Sequence, residues 1–99
     1  MENLKLTAEN LERASEILKA IAHPVRISII ECLEKEGRLT VSQIHTLLGI
    51  GQANVSHHLG IMRDKGILSA KREGKNIYYS LKDDSIKLLL NCIRNCCNG

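Results

Sequence analysis

Residues 52–68, QANVSHHLGIMRDKGIL, decide the fold of this 99-residue chain. Val55, Leu59 and Met62 fall at i, i+4 and i+7, the spacing of one helical face, and commit that face to packing. The opposite face carries Gln52, Asn54, Ser56, His57 and Gly60, with Ala53 near its N-terminal edge. Neither Lys nor Glu occurs between Gln52 and Met62, although exposed helix faces are ordinarily rich in charge. Neighbouring helix residues diverge by about 100°. His57 and His58 therefore cannot clamp one ion, as a pair at i, i+4 could. No cysteine nucleophile is adjacent to them. One histidine is expected to face outward and the other to lie beside the preceding helix.

Upstream of this helix, Thr40 is a candidate cap for a short helix over Val41 to Leu48, with Ile44, Leu47 and Leu48 as its buried stripe. Gly49-Ile50-Gly51 makes a three-residue turn into the helix from Gln52 to Lys65, which Gly66 stops. Upstream, Thr7 caps a helix carrying Leu11, Ala14, Ile17, Leu18 and Ile21. His23-Pro24 breaks it, and Pro24 opens a second helix to about Lys35. Val25, Ile27, Ile29, Ile30 and Leu33 make that second helix apolar on most sides, hence central; Gly37 ends it. His23 and His45 read as a cap and a surface residue. After Gly66 the period falls from 3.6 to 2. Leu68, Ala70 and Arg72 alternate with polar neighbours, as do Ile77, Tyr79 and Leu81 beyond Gly74-Lys75, which reads as a β-hairpin. Asp83 or Asp84 caps a last helix with Ile86, Leu89, Leu90 and Ile93 on one face. The whole of 1–99 reads as one domain, mainly α with a small β-hairpin.

The core must be aliphatic, because the chain has two Tyr and neither Phe nor Trp. A chain this short buries only roughly 60–65% of its unfolded surface, so a partner subunit, a metal or disulfides would help it. Charge is unevenly distributed. Residues 1–36 carry five Lys/Arg and seven Glu, residues 37–82 seven Lys/Arg against Asp64 and Glu73, and residues 83–99 balance. A basic middle points to an anionic partner there. No stretch approaches the ~18 apolar residues of a membrane span, and the first residues do not resemble a secretion signal. A cytoplasmic protein without membrane contact is expected, with Cys32, Cys92, Cys96 and Cys97 as reduced thiols.

A short helix, a Gly turn and a second helix with a small, uncharged polar face form the pattern that presents a recognition helix to a DNA major groove. Gln52, Asn54 and Ser56 can hydrogen-bond base edges, and Ala53 and Gly60 permit close approach. Lys71, Arg72 and Lys75 cluster around the hairpin tip, where they suit phosphates or a minor groove. Arg63 and Lys65 add charge at the far end of the helix. Paired carboxylates, a phosphate-cradling Gly loop and nucleophile–base spacing are all missing, so an enzyme is not expected. The alternative is a protein-interaction module of the same fold without DNA contact.

"LKAIAHPVRISIIECL", "VSHHLGIMRDKGIL" and "REGKNIYYSL" resemble three successive blocks of the ArsR-type (arsenic-repressor) winged helix-turn-helix family, over about Leu11 to Leu90. The resemblance implies a homodimeric bacterial transcriptional repressor. Its first and last helices would form the dimer interface, and an inducer would release double-stranded operator DNA. It also implies that Gln52, Ala53, Asn54, Ser56 and His57 face bases and phosphates, with Arg72 and Lys75 in the wing. Gly51 departs from the family pattern, in which many relatives have a capping Ser. A dimer also fits two observations made without the resemblance. The apolar stripes of the first and last helices exceed what one small domain covers, and two recognition helices must reach grooves about 34–36 Å apart.

Many relatives hold metals through Cys-x-Cys at the start of the third helix, where this chain has Thr40 and Ser42. Others use Asp and His on the last helix, but no His follows His58. Cys92, Cys96 and Cys97 remain, with Cys92 and Cys96 at i, i+4. They could bind a soft metal or metalloid such as As(III), Cu(I) or Zn(II), or form a disulfide or persulfide. They could equally be small apolar fillers at a dimer interface. Some relatives sense reactive sulfur through one Cys on the second helix and one on the last. Cys32 and Cys97 suggest that pairing, each about one residue from the expected position.

Overall fold

Thr7 starts the first helix: its hydroxyl accepts from the Asn10 N–H at 3.2 Å. In the computed structural model, which describes residues 6–98, this helix is α1, Ala8–Ile21. His23 caps the next one, α2, Pro24–Glu36, its Nδ1 accepting the Val25 N–H at 3.1 Å. Gly37 ends α2 with a positive φ of 87°. The chain then forms a two-residue strand, β1 (Arg38–Leu39), that the sequence pattern did not reveal, because two residues are too few to display a period. Thr40 opens α3, Val41–Leu48, with a full capping box. Its hydroxyl accepts from the Gln43 N–H, and the Gln43 side chain accepts from the Thr40 N–H. After the turn come α4 (Gln52–Asp64), β2 (Leu68–Glu73), β3 (Asn76–Leu81) and α5 (Asp84–Asn98).

The hairpin forms as expected and pairs Leu68 opposite Leu81 and Glu73 opposite Asn76, with Gly74 at φ +64° in its two-residue turn. β1 adds to its other edge, Arg38 opposite Ser80 and Leu39 opposite Tyr79, giving an antiparallel sheet of order β1-β3-β2. The architecture is a winged helix-turn-helix, mainly helical, with a wing that is a three-stranded sheet at its base.

The core is aliphatic and centred on α2. Ile29, Ile30 and Leu33 of α2 meet Ile44 of α3, Val55, Leu59 and Met62 of α4, and Leu90 of α5. Ile67, Leu68 and Tyr79 close it at the foot of the wing. Two expectations need correction. Leu47 is 56% exposed; α3 instead turns Val41, Ile44 and Leu48 inward, the i, i+3, i+7 ridge, which leaves Leu47 to one side. The α5 stripe of Ile86, Leu89 and Leu90 packs against this same core and is not left over. Leu88 is the exposed apolar residue of α5, and Leu11 and Leu18 those of α1. The α1 stripe therefore divides, with Ile17 and Ile21 turned inward.

Candidate nucleic-acid interface

The turn between α3 and α4 is built from three local devices. Gly49 ends α3 in the left-handed region, φ +67°. His45, half-buried rather than at the surface, donates from Nδ1 to the Ile50 carbonyl at 2.5 Å and fixes the middle of the turn. Gly51 is the N-cap of α4 and, as its lack of a side chain dictates, supplies no capping hydrogen bond. Val55, Leu59 and Met62 then face the core, fully buried, so the opposite face is fixed.

That outer face carries Gln52, Ala53, Asn54, Ser56 and His57, all exposed. Gln52 donates from Nε2 to the Ser42 Oγ at 3.3 Å, tying the first residue of α4 to the first turn of α3. Beside it an open cleft of about 420 Å³ runs between the start of α3, the start of α4 and the wing. Thr40, Ser42, Gln52, Ser56, Lys75 and Tyr79 line it. The structure thus brings Lys75 to the N-terminal half of α4. Arg63 is elsewhere: eleven residues along α4, about 16 Å from Gln52, exposed and paired with Asp64 at 3.4 Å. Lys71 and Arg72 are exposed neighbours on β2, so they point to opposite faces of the ribbon. Arg72 donates from Nε to the Gly74 carbonyl at 3.3 Å, which holds its guanidinium at the tip.

Thr40 was read from the sequence as a helix cap and Ser42 as a position without a metal-binding thiol, neither as part of this interface, and Arg38 was not singled out. The T-x-x-Q capping box marks the start of α3 and could have drawn attention to Thr40 and Ser42. Arg38 could not be found that way, because its role depends on β1. It pairs with Glu73 and lies over the Tyr78 ring, 4.2 Å from the centroid. The one carboxylate of the hairpin is thereby matched, and Lys71, Arg72 and Lys75 dominate the charge of the tip.

His57 faces outward, as expected. His58 is buried, and its hydrogen bond goes to the start of α2. Its Nδ1 accepts from the Arg26 Nε at 3.0 Å, and its ring lies 4.6 Å from that of His23. Burial pushes its pKa below the ordinary imidazole value; the neighbouring His23, Arg26 and His57 push the same way.

One thiol lies on α2 and three on α5. Cys32 is half-buried on α2, its pKa raised by burial and by Glu31 and Glu36, so it is a poor nucleophile. Cys92, Cys96 and Cys97 are exposed on α5. Among the described residues, no group of three or more His, Cys, Asp or Glu comes close enough to hold a metal ion, and no helix is long and apolar enough to cross a membrane.

Comparison with known proteins agrees with this geometry. The family model described as bacterial regulatory protein, arsR family, matches residues 23–70. The biofilm growth-associated repressor of Xylella fastidiosa is 36% identical over 92 residues, 89% of this chain and 80% of the relative. The transcriptional repressor PagR of Bacillus anthracis is 37% identical over 89 residues, 90% of this chain and 89% of PagR. The crystal structure of PagR superposes with a TM-score of 0.81 over 88% of this chain and 99% of that one. A homodimeric winged helix-turn-helix DNA-binding domain from Mycobacterium bovis, solved by NMR, shares the fold at 24% identity, with a TM-score of 0.84 over 97% of this chain and 88% of that one. With its helix-turn-helix, its wing and relatives that match it along most of their own length, this chain belongs to the ArsR family of bacterial regulatory proteins, a family of transcriptional regulators and not of enzymes.

Proposed function

We propose that the chain is a dimeric, sequence-specific repressor that reads operator DNA with the N-terminal half of α4 and grips it with the wing. One observation carries this: an uncharged, exposed, hydrogen-bonding helix face opens onto the same cleft as Lys75. Gln52, Asn54 and Ser56 meet base edges, Ala53 allows close approach and His57 reaches a phosphate. Lys71, Arg72 and Lys75 hold the backbone or enter the minor groove beside it. Arg63, on the far end of α4, serves only a more distant phosphate. Leu11, Leu18 and Leu88 are the apolar surface that a second copy covers, setting two recognition helices one helical turn of DNA apart.

The inducer-sensing part of the proposal rests on Cys92 and Cys96, exposed one helical turn apart on α5. Oxidants or reactive sulfur species would couple them or cap them. A soft metal or metalloid finds only two thiols at that spacing within one chain, and a third donor would have to come from Cys97 or from a second copy.

A salt series of gel shifts on duplexes selected from random sequence tests the reading. Binding should fall steeply with salt. Arg72→Ala should weaken all duplexes about equally, and Asn54→Ala should relax sequence choice by about 1–3 kcal/mol at one position. A dimer that binds no duplex at low salt overturns it and leaves a protein-interaction module. Release titrated with As(III), Zn(II), Cu(I), polysulfide and peroxide, with a Cys92/Cys96/Cys97→Ser triple variant alongside, tests the thiols. An unchanged response in that variant removes them as sensors.

A further inference from the structure

His58 is the only buried polar or charged residue of the core among the described residues, and it sits on the recognition helix. A buried imidazole needs a partner. Here it accepts, at Nδ1, from the Arg26 Nε at 3.0 Å. The same guanidinium donates from Nη1 to the Ala20 carbonyl in the last turn of α1 at 3.1 Å. Arg26 therefore bridges three helices: it belongs to α2, holds the end of α1 and grasps the inner face of α4. His23 adds a second contact, its ring tilted 45° against His58 while its Nδ1 caps α2.

This arrangement works in one protonation state only. An imidazole can accept at Nδ1 only if that nitrogen carries no proton, so His58 must be the neutral, Nε2–H form. A proton on Nδ1 removes the acceptor and puts two cations in contact. The charged and titratable groups around the pair do not offset this. Arg26 and His23 face His58 from α2, and His57 lies beside it on α4, ring centroids 5.5 Å apart. On the Arg26 side, Glu16 and Lys19 of α1 and Lys65 beyond α4 line an open cleft of about 240 Å³ with Ala20 and Ile61. Glu16 is the carboxylate among these, and it is already held by Lys65 at 2.8 Å.

We propose that Arg26 and His58 form a proton-sensitive latch that positions the recognition helix, so that acidification loosens α4 from α1 and α2 and releases DNA. Arg26 and His58 are positioning residues here: they touch no base, and they act through Gln52, Asn54, Ser56 and His57 on the opposite face. When His58 takes a proton, Arg26 loses its acceptor and turns to Glu16 in the neighbouring cleft, in competition with Lys65. The sign follows from linkage. Burial lowers the affinity of His58 for a proton in the native state, so the latched state is fully favoured above the ordinary imidazole value of about 6.5 and loses ground as pH falls below it.

The proposal rests on the DNA-binding reading, and its test separates the two. Affinity of the full-length dimer for a selected duplex is measured by fluorescence anisotropy from pH 8 to pH 5 at constant ionic strength, in a His57→Gln background so that the outward imidazole does not contribute. Below the His58 midpoint, affinity should fall about tenfold per pH unit for each protomer that must shed a proton to bind. His58→Asn, whose amide oxygen stands in for Nδ1 without titrating, should flatten the curve to within about twofold of its value at pH 7.5. Arg26→Gln offers either a donor or an oxygen to the ring and should also shrink the slope, which covers the case in which one variant does not fold. Histidine nitrogen NMR of the free protein should show His58 as the Nε2–H tautomer at pH 7.5. A parent-like slope in both variants, or a proton on Nδ1 at pH 7.5, overturns the latch. Absence of duplex binding at every pH overturns the DNA reading instead, and the NMR result then judges the latch alone.

Discussion

Gly66 decides where the recognition helix stops. It sits at φ +79°, its N–H bonds to the Arg63 carbonyl at 3.0 Å, and the next N–H, of Ile67, bonds to the Met62 carbonyl at 2.9 Å. This is the Schellman pattern, and it is sealed by Ile67 against Met62, both buried. A Cβ on Gly66 would meet only the Lys82 Nζ, at 4.0 Å, so the constraint lies in the backbone and not in space. Gly66→Ala should therefore cost about 1–2 kcal/mol, seen as a lower urea midpoint with an unchanged slope. At this scale the sequence was legible wherever the cause is local. Thr7, Thr40, Gly49 and Gly66 act on their own neighbours, and each acts as its type predicts. His58 was half legible. Helical geometry required that it and His57 diverge, but its partner Arg26 lies 32 positions earlier, where no local pattern can point.

At the scale of elements, the change of period from 3.6 to 2 after Gly66 located the wing, and the Val55/Leu59/Met62 ridge oriented α4. α3 was harder, because in eight residues two apolar ridges fit nearly as well as one. The structure separates them by burial, Ile44 being fully enclosed and Leu47 mostly in solvent. Ile44→Ala should cost about 2–5 kcal/mol as a cavity, whereas Leu47→Ala should change stability by less than about 0.5 kcal/mol. Equal losses in parallel urea titrations would mean that α3 packs through the other ridge. β1 was not legible at all. It exists because β3 offers an open edge at Tyr79 and Ser80, and Leu39 fills the core below it; both are tertiary facts. The cleft inherits this gap. Its Lys75 side could be anticipated from the hairpin; Thr40 was legible as a cap, but that it and Ser42 line the cleft depends on tertiary packing.

For the whole molecule, the extents are 50 × 32 × 20 Å, and the radius of gyration of 14.7 Å exceeds the ~13 Å of a compact chain this long. Together with exposed Leu11, Leu18 and Leu88, this elongation is what the proposed dimer predicts of each protomer. Leu18→Glu combined with Leu88→Glu should give monomers in sedimentation velocity. The loss of divalent binding should lower DNA affinity by about 10²-fold or more. The melting temperature of the parent should rise with protein concentration, and that of the double variant should not. Within each protomer, the β1 seam has a mechanical effect. It stitches the hairpin to the segment that enters α3, and Arg38 pins that stitch through Glu73 and Tyr78. Wing and helix-turn-helix therefore travel as one jaw of a calliper. Swinging the wing away from the helix-turn-helix would have to break the pairing of Arg38 and Leu39 with Ser80 and Tyr79 first.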